Sequence, residues 1–218
     1  MELFLNDKLG KISIEIEEAN TPEAILILAH GAGAGMHHPF MVSISSDIAA
    51  ANISTIRFNF PYMEQGRKSP GSPKANIETW GLIVEHISKT YPRLPIFISG
   101  KSYGGRMASH LLAQDYPETV RGIVYFGFPL HAPGRDSKDR AAHLKMVNVP
   151  QLFIQGSNDK LANIELMNEV IETLQNADMQ VIEEGDHSFN VPKRSGMTKQ
   201  DVMKLLVQSS TDWMKSKL

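Results

Sequence analysis

Short apolar runs alternate with helix-length amphipathic segments along this 218-residue chain. "KISIEIE" (11–17) alternates with period two, as an edge or antiparallel strand does. "AILILAHG" (24–31), "STIRFNF" (54–60), "PIFISG" (95–100), "GIVYFGFP" (122–129), "QLFIQG" (151–156) and "MQVIEEG" (179–185) are mostly continuous and rich in Ile, Val and Phe. Such runs suit strands covered on both faces. Between them, 39–52, 75–90, 102–115, 160–175 and 198–216 carry helical patterns; 160–175 carries Leu161, Ile164, Leu166, Met167, Val170, Ile171 and Leu174 as an apolar face at helical spacing. Strands alternating with helices imply right-handed crossovers and a mainly parallel sheet, completed by an antiparallel start at 2–17. The expected class is α/β, doubly wound, with helices on both faces.

No long linker or composition break divides the chain, so residues 1–218 read as a single domain. A chain of this size buries roughly 70% of its unfolded surface and needs no staple. Cysteine is absent, which excludes disulfides, thiolate metal sites and a cysteine nucleophile. The formal charge of −2 comes from interspersed acids and bases, without the basic stripe of a nucleic-acid or membrane-surface binder. The start "MELFLNDKLG" lacks the features of a signal peptide, and no window approaches a membrane span. The expectation is a soluble cytoplasmic protein with no nucleic-acid or membrane partner.

"SGKSYGGRM" (99–107) admits two readings. Gly-Lys-Ser ends a phosphate-binding loop, but the first glycine of that motif would fall on Pro95, which removes a donor and fixes φ. Gly100-Lys101-Ser102-Tyr103-Gly104 is also G-x-S-x-G, here with a strand before it and a helix after it. That turn presents a serine beyond the carboxyl end of a strand, where open α/β sheets bind ligands. Glycines at 100 and 104 give the strained backbone the space it needs, and the helix start supplies positive partial charge for an oxyanion.

A serine hydroxyl needs a base, and the base an orienting acid. His187, in "EEGDHSF" after the last strand, fits the base. Asp159, in "IQGSNDKLA" after the strand 151–156, fits the acid; its competing role is to cap the helix starting near 160. Asp186 is a poor rival because adjacent side chains in an extended loop point apart. The chain order Ser, Asp, His matches this kind of site. The oxyanion donors expected are the N–H of Tyr103 and one from "HGAGAGMHHP", with Ala32 the first choice and Gly33 the second.

Other residues carry less. His30 is expected to anchor the oxyanion loop. His37 and His38 lack helical ligand spacing and a nearby carboxylate, so no metal is assigned. Arg57, Arg67, Lys68, Lys101 and Arg106 raise the question of an anionic substrate, against the simpler reading of solvated surface charge. Tyr62, Met63, Phe128 and Leu130 follow strand ends and are candidates to line a cleft, with core packing the alternative.

Together "HGAGAGMHHPFM", "RFNFPYMEQGRKSP", "GKSYGGRMAS", "GFPLHAPGR", "LFIQGSNDKL" and "GDHSF" resemble the α/β-hydrolase superfamily over essentially the whole chain. More narrowly they are similar to small lidless hydrolases related to dienelactone hydrolase and to the testis-expressed hydrolase-like proteins. The resemblance implies a Ser102–Asp159–His187 triad and hydrolysis of a carboxylic ester or similar acyl substrate, a small molecule, with no cofactor. A non-catalytic interaction module, or a peptidase or acyltransferase with the same triad, are the alternatives. Only about twenty residues separate the strands ending at Pro129 and starting at Gln151, too few for a lid domain.

Overall fold

The computed structural model describes residues 1–114 and 119–218. Its sheet is built from β1 (Glu2–Asn6), β2 (Gly10–Glu17), β3 (Ala24–Ala29), β4 (Ile53–Phe58), β5 (Ile96–Lys101), β6 (Val120–Phe126), β7 (Gln151–Gly156) and β8 (Ala177–Ile182). The spatial order is β1-β2-β4-β3-β5-β6-β7-β8. β1 pairs antiparallel with β2, and β2 antiparallel with β4; every pairing from β4 to β8 is parallel. The helices are α1 (Pro39–Ala50), α2 (Pro61–Glu64), α3 (Pro73–Thr90), α4 (Tyr103–Leu112), α5 (Ile164–Glu172) and α6 (Lys199–Lys215).

The continuous apolar runs are explained by two cores, one on each face of the sheet. Ile25, Ile27, Ile56, Phe58, Ile96, Ile98, Ile123, Tyr125 and Phe153 pack beneath α3, α4 and α5 through Trp80, Ile83, Val84, Met107, Ala108, Met167 and Val170. The intervening Leu26, Leu28, Phe97, Val124, Phe126, Leu152 and Ile154 meet α1 and α6 through Met41, Ile44, Ile48, Val202, Leu206 and Trp213. Period-two geometry sends neighbours along a strand to opposite faces, so both must be apolar.

The connections fix where a ligand can bind. The chain leaves β3 for α1 on one face and leaves β5 for α4 on the other, while β3 and β5 are hydrogen-bonded neighbours. Loops departing in opposite directions from adjacent strands open a crevice at their carboxyl ends. Gly31–His38 and Ser102 stand on its two sides.

Several expected boundaries move for local reasons. The 122–129 run stops being strand at Phe126, because Gly127 takes φ 70° and turns the chain. The helix expected from 160 starts at Ile164, because Asn163 Oδ1 accepts from the Glu165 and Leu166 N–H groups and caps it. The end of the helix expected over 102–115 reaches residue 115, outside the described residues; the observed helix ends at Leu112. The short α2 was not expected, while the connection after β6, long enough for a loop and one short helix, holds a 3-10 helix at Asp139–Met146. That 3-10 segment lies between β6 and β7, and it sends Ala141 and Leu144 into the core instead of arching over the strand ends. Among the described residues the fold has no lid. Among the described residues, no helix is long and apolar enough to cross a membrane.

Trp80 joins this core to the turn carrying Ser102. Its ring is fully buried edge-on to Phe58, with centroids 4.9 Å apart, and its Nε1 donates to Gly104 O at 3.2 Å. Trp80→Ala is expected to cost about 3–5 kcal/mol. The melting temperature should fall by about 6–20 °C, read by calorimetry.

Candidate active site

The site is built around a backbone that most residues cannot adopt. Ser102 has φ 51° and ψ −114°, between the last residue of β5 and the first of α4. It occupies the N-cap position of α4, yet its side chain makes no capping bond. The hydroxyl is therefore free for another partner. The turn is tight enough that a Cβ on Gly100 would stand 2.2 Å from Gly105 N. One on Gly104 would stand 2.6 Å from both Ala29 O and His30 O. These obstacles are backbone atoms, which cannot swing aside.

Ser102 Oγ lies 2.8 Å from His187 Nε2, and His187 Nδ1 lies 2.7 Å from Asp159 Oδ2. Facing a carboxylate, Nδ1 carries the proton, so Nε2 is the acceptor and the serine hydroxyl donates to it. Asp159 is buried in the loop after β7. Its Oδ2 also accepts from Gln155 Nε2 at 2.6 Å, and its Oδ1 from the Leu161 N–H at 2.7 Å. With Asn163 capping α5, the helix-cap role does not fall to Asp159. Asp186 is occupied otherwise: its Oδ1 accepts from the Ser188 and Asn190 N–H groups, both at 2.8 Å.

The opposite wall is the glycine-rich loop after β3. Gly31 passes beside Ser102, a Cβ built on it falling 3.8 Å from Ser102 Cβ. His30 anchors the loop as expected: Nε2 accepts from the Phe60 N–H at 3.3 Å, which leaves Nδ1 to donate to Gly31 O at 2.7 Å. Burial lowers its pKa to about 4, so the ring stays neutral and acts as a strut. Gly33 does not serve as the second-choice oxyanion donor, because its N–H is committed to Tyr62 Oη at 3.2 Å. The Ala32 and Tyr103 N–H groups have no backbone or side-chain acceptor among the described residues.

Other expected roles change. Phe128 and Leu130 are fully buried in the core, Phe128 edge-on to Tyr125 and Phe153, and line no cleft. Tyr62 is buried and braces the glycine-rich loop after β3, and Met63 packs near Gly35 in the same loop. Arg57 brings no free charge to the mouth. Its guanidinium is buried, pairs with Glu15 and Glu17 at 2.9 Å each, and donates to Met36 O at 2.9 Å. Lys101 points under the histidine loop and donates to His187 O. Arg106 lies over the Tyr103 ring, 5.8 Å from its centroid, while Arg67 and Lys68 are exposed. Gln155 was missed, although a polar residue inside an otherwise apolar strand run is a signal for a buried partner.

The family model for the alpha/beta hydrolase domain matches residues 22–215. The chain belongs to the alpha/beta hydrolase family. Among solved structures, it is similar to a dienelactone hydrolase from Anabaena variabilis, at 19% identity and TM-score 0.81, covering 100% of this chain and 96% of that one. It is similar also to a lidless α/β serine hydrolase from Xanthomonas campestris, at 18% identity and TM-score 0.73, covering 98% and 94%. An esterase domain from a Rhodothermus marinus protein aligns at 14% identity and TM-score 0.72, covering 98% and 95%. At these identities the structures speak for the fold, while the family match marks a hydrolase.

The tight turn yields a direct test. Gly104→Ala is expected to destabilise the protein by more than about 2 kcal/mol and to abolish hydrolysis. In Gly81→Ala, by contrast, the new Cβ meets, among the described residues, the end of the Leu111 side chain at an ordinary contact distance of 3.5 Å, and the glycine lies inside α3. That variant should keep its melting temperature within a few degrees and retain activity. Parallel melting curves and turnover assays check the pair.

Proposed function

We propose that this hydrolase cleaves a carboxylic ester or similar activated acyl compound, with Ser102 as nucleophile, His187 as general base and acid, and Asp159 as the group that orients the imidazole. The observation that carries the reading is the unbroken chain Ser102 Oγ–His187 Nε2, His187 Nδ1–Asp159 Oδ2, starting from a serine held at positive φ with no capping duty.

Ser102 Oγ attacks the acyl carbon while Nε2 takes its proton, and Asp159 stabilises the imidazolium that forms. The carbonyl oxygen becomes an oxyanion and is received by the Ala32 and Tyr103 N–H groups, at the positive end of α4. Collapse breaks the bond to the leaving alcohol, which takes the proton from Nε2. Water then attacks the acyl-enzyme, giving up a proton to Nε2. The carboxylic acid departs as that proton returns to the serine. The similarity to a dienelactone hydrolase and to an esterase domain supports acyl chemistry on this fold.

A fluorophosphonate probe should label Ser102 in the native protein. Ser102→Ala should lose the label and about 10³-fold or more in kcat, with an unchanged melting curve. Equal turnover by the variant would refute the nucleophile. An intact parent that neither labels nor turns over any ester would instead mark a non-catalytic module.

Chain-length preference follows from the short β6–β7 connection. Each methylene buried gains ~0.8 kcal/mol, but without a lid little apolar wall stands over the strand ends to bury it. Among p-nitrophenyl acetate, butyrate, octanoate and palmitate below their aggregation limits, kcat/KM should be highest for the short esters. No jump in rate should accompany micelle formation. A steady rise towards palmitate would contradict this.

A further inference from the structure

Lys101 occupies the variable position just before the serine of G-x-S-x-G, where a surface-facing side chain would have no task. Its neighbours in space show otherwise. Nζ donates to the backbone carbonyl of His187, 86 residues further along the chain. The ammonium is enclosed by the Phe189 and Phe40 rings, 5.0 and 6.0 Å from their centroids, and by Gly127, where a Cβ would lie 2.9 Å from it. Two consecutive residues of the elbow therefore grip two ends of one residue. Lys101 holds the carbonyl of His187, and Ser102 meets its Nε2.

We propose that Lys101 is a positioning residue for the reaction, clamping the histidine loop so that His187 Nε2 stays within reach of Ser102 Oγ; this rests on the triad reading above. The loop needs such a clamp. Glu184 and Phe189, on either side of His187, both sit at positive φ, 55° and 62°. Each such non-glycine residue is strained and persists only where its surroundings over-determine it. Asp186 fixes the turn from within through its bonds to Ser188 and Asn190. Lys101 is the tie from β5 to that loop, and a charge-assisted bond is about twice as strong as a neutral one. The two aromatic faces add cation–π attraction.

The charge is also placed to be sensitive. Burial lowers the Lys101 pKa to about 8, against the opposing pull of Asp159 and Asp186, the two carboxylates whose charges act on it. With the imidazole of His187, they are the ionisable groups facing the ammonium. As pH rises through about 8, the cation becomes a neutral amine and a weaker donor, and the grip on His187 O relaxes.

The absence of cysteine allows a clean test. Lys101→Met keeps the length of the stem and removes the donor and the charge. It should lower kcat by about 10- to 100-fold, as expected for a displaced catalytic group, with KM within about twofold. Its kcat should be flat across pH 7.5–9, where the parent declines with a midpoint near 8. Lys101→Cys should be similarly slow. Unfolding it, alkylating the single thiol with 2-bromoethylamine and refolding should restore most of the parent kcat, whereas alkylation with bromoethane should not. Should a variant fail to fold, its melting curve will show it, and the comparison of the two alkylated proteins, equal in treatment, still decides. An inactive parent defeats the hydrolase reading itself. An active parent matched by Lys101→Met in kcat and pH profile, or equal recovery with both alkylating agents, overturns the clamp alone.

Discussion

No side-chain carbon can stand at residue 100 or 104, and the arrangement of the whole carboxyl edge of the sheet depends on that. With glycine at both places, β5 passes directly into α4, and the single residue between them is forced to positive φ. The same sharp turn aims the Ser102 side chain out of the strand and away from the first turn of the helix. Hydroxyl, helix N-terminus and the neighbouring β3 loop thus meet at one point. Strain here is held by rigid neighbours: Trp80 donates to the carbonyl of Gly104, and Ala29 and His30 wall off its α-carbon.

Around that point, polar groups are buried as struts and not as reagents. His30 stays neutral between Phe60 and Gly31. Arg57 binds the glycine-rich loop after β3 to β2 through Met36, Glu15 and Glu17. Asn59 Oδ1 accepts from the Met36 N–H at 2.8 Å. Truncating one partner of such a buried pair leaves the other unsatisfied, which makes these positions costly to vary. The crevice is consequently stiff on its β3 side, and the histidine loop, rich in unusual backbone angles, is the side that needs clamping.

Much of this was legible in the sequence because it is local or periodic. Apolar runs such as 24–29 announce strands covered on both faces, and the observed split of Ile25 and Ile27 from Leu26 and Leu28 follows from the pleat. The elbow was legible because glycine spacing around Ser102 is a backbone requirement written in contiguous residues. Asp159 and His187 followed from their positions after strands. What sequence could not show depends on partners brought from far away. Arg57 reads as a surface cation until β2 delivers two glutamates to it. Phe128 and Leu130 read as cleft lining because they follow a strand, but Gly127 turns them into the core. Gly33 reads as a donor until Tyr62 takes its N–H.

The histidine comes last. His187 lies beyond β8, the final strand, 85 residues after Ser102 and 28 after Asp159. A chain emerging from the ribosome folds from its N-terminal part onward. Through the synthesis of β1 to β7, Ser102 has no imidazole beside it. The hydrogen bond from its hydroxyl to His187 can form only when β8 joins the edge of the sheet and carries the imidazole across β7 and β6 to the elbow. On the triad proposed above, the appearance of a reactive serine would therefore report that the sheet has been completed.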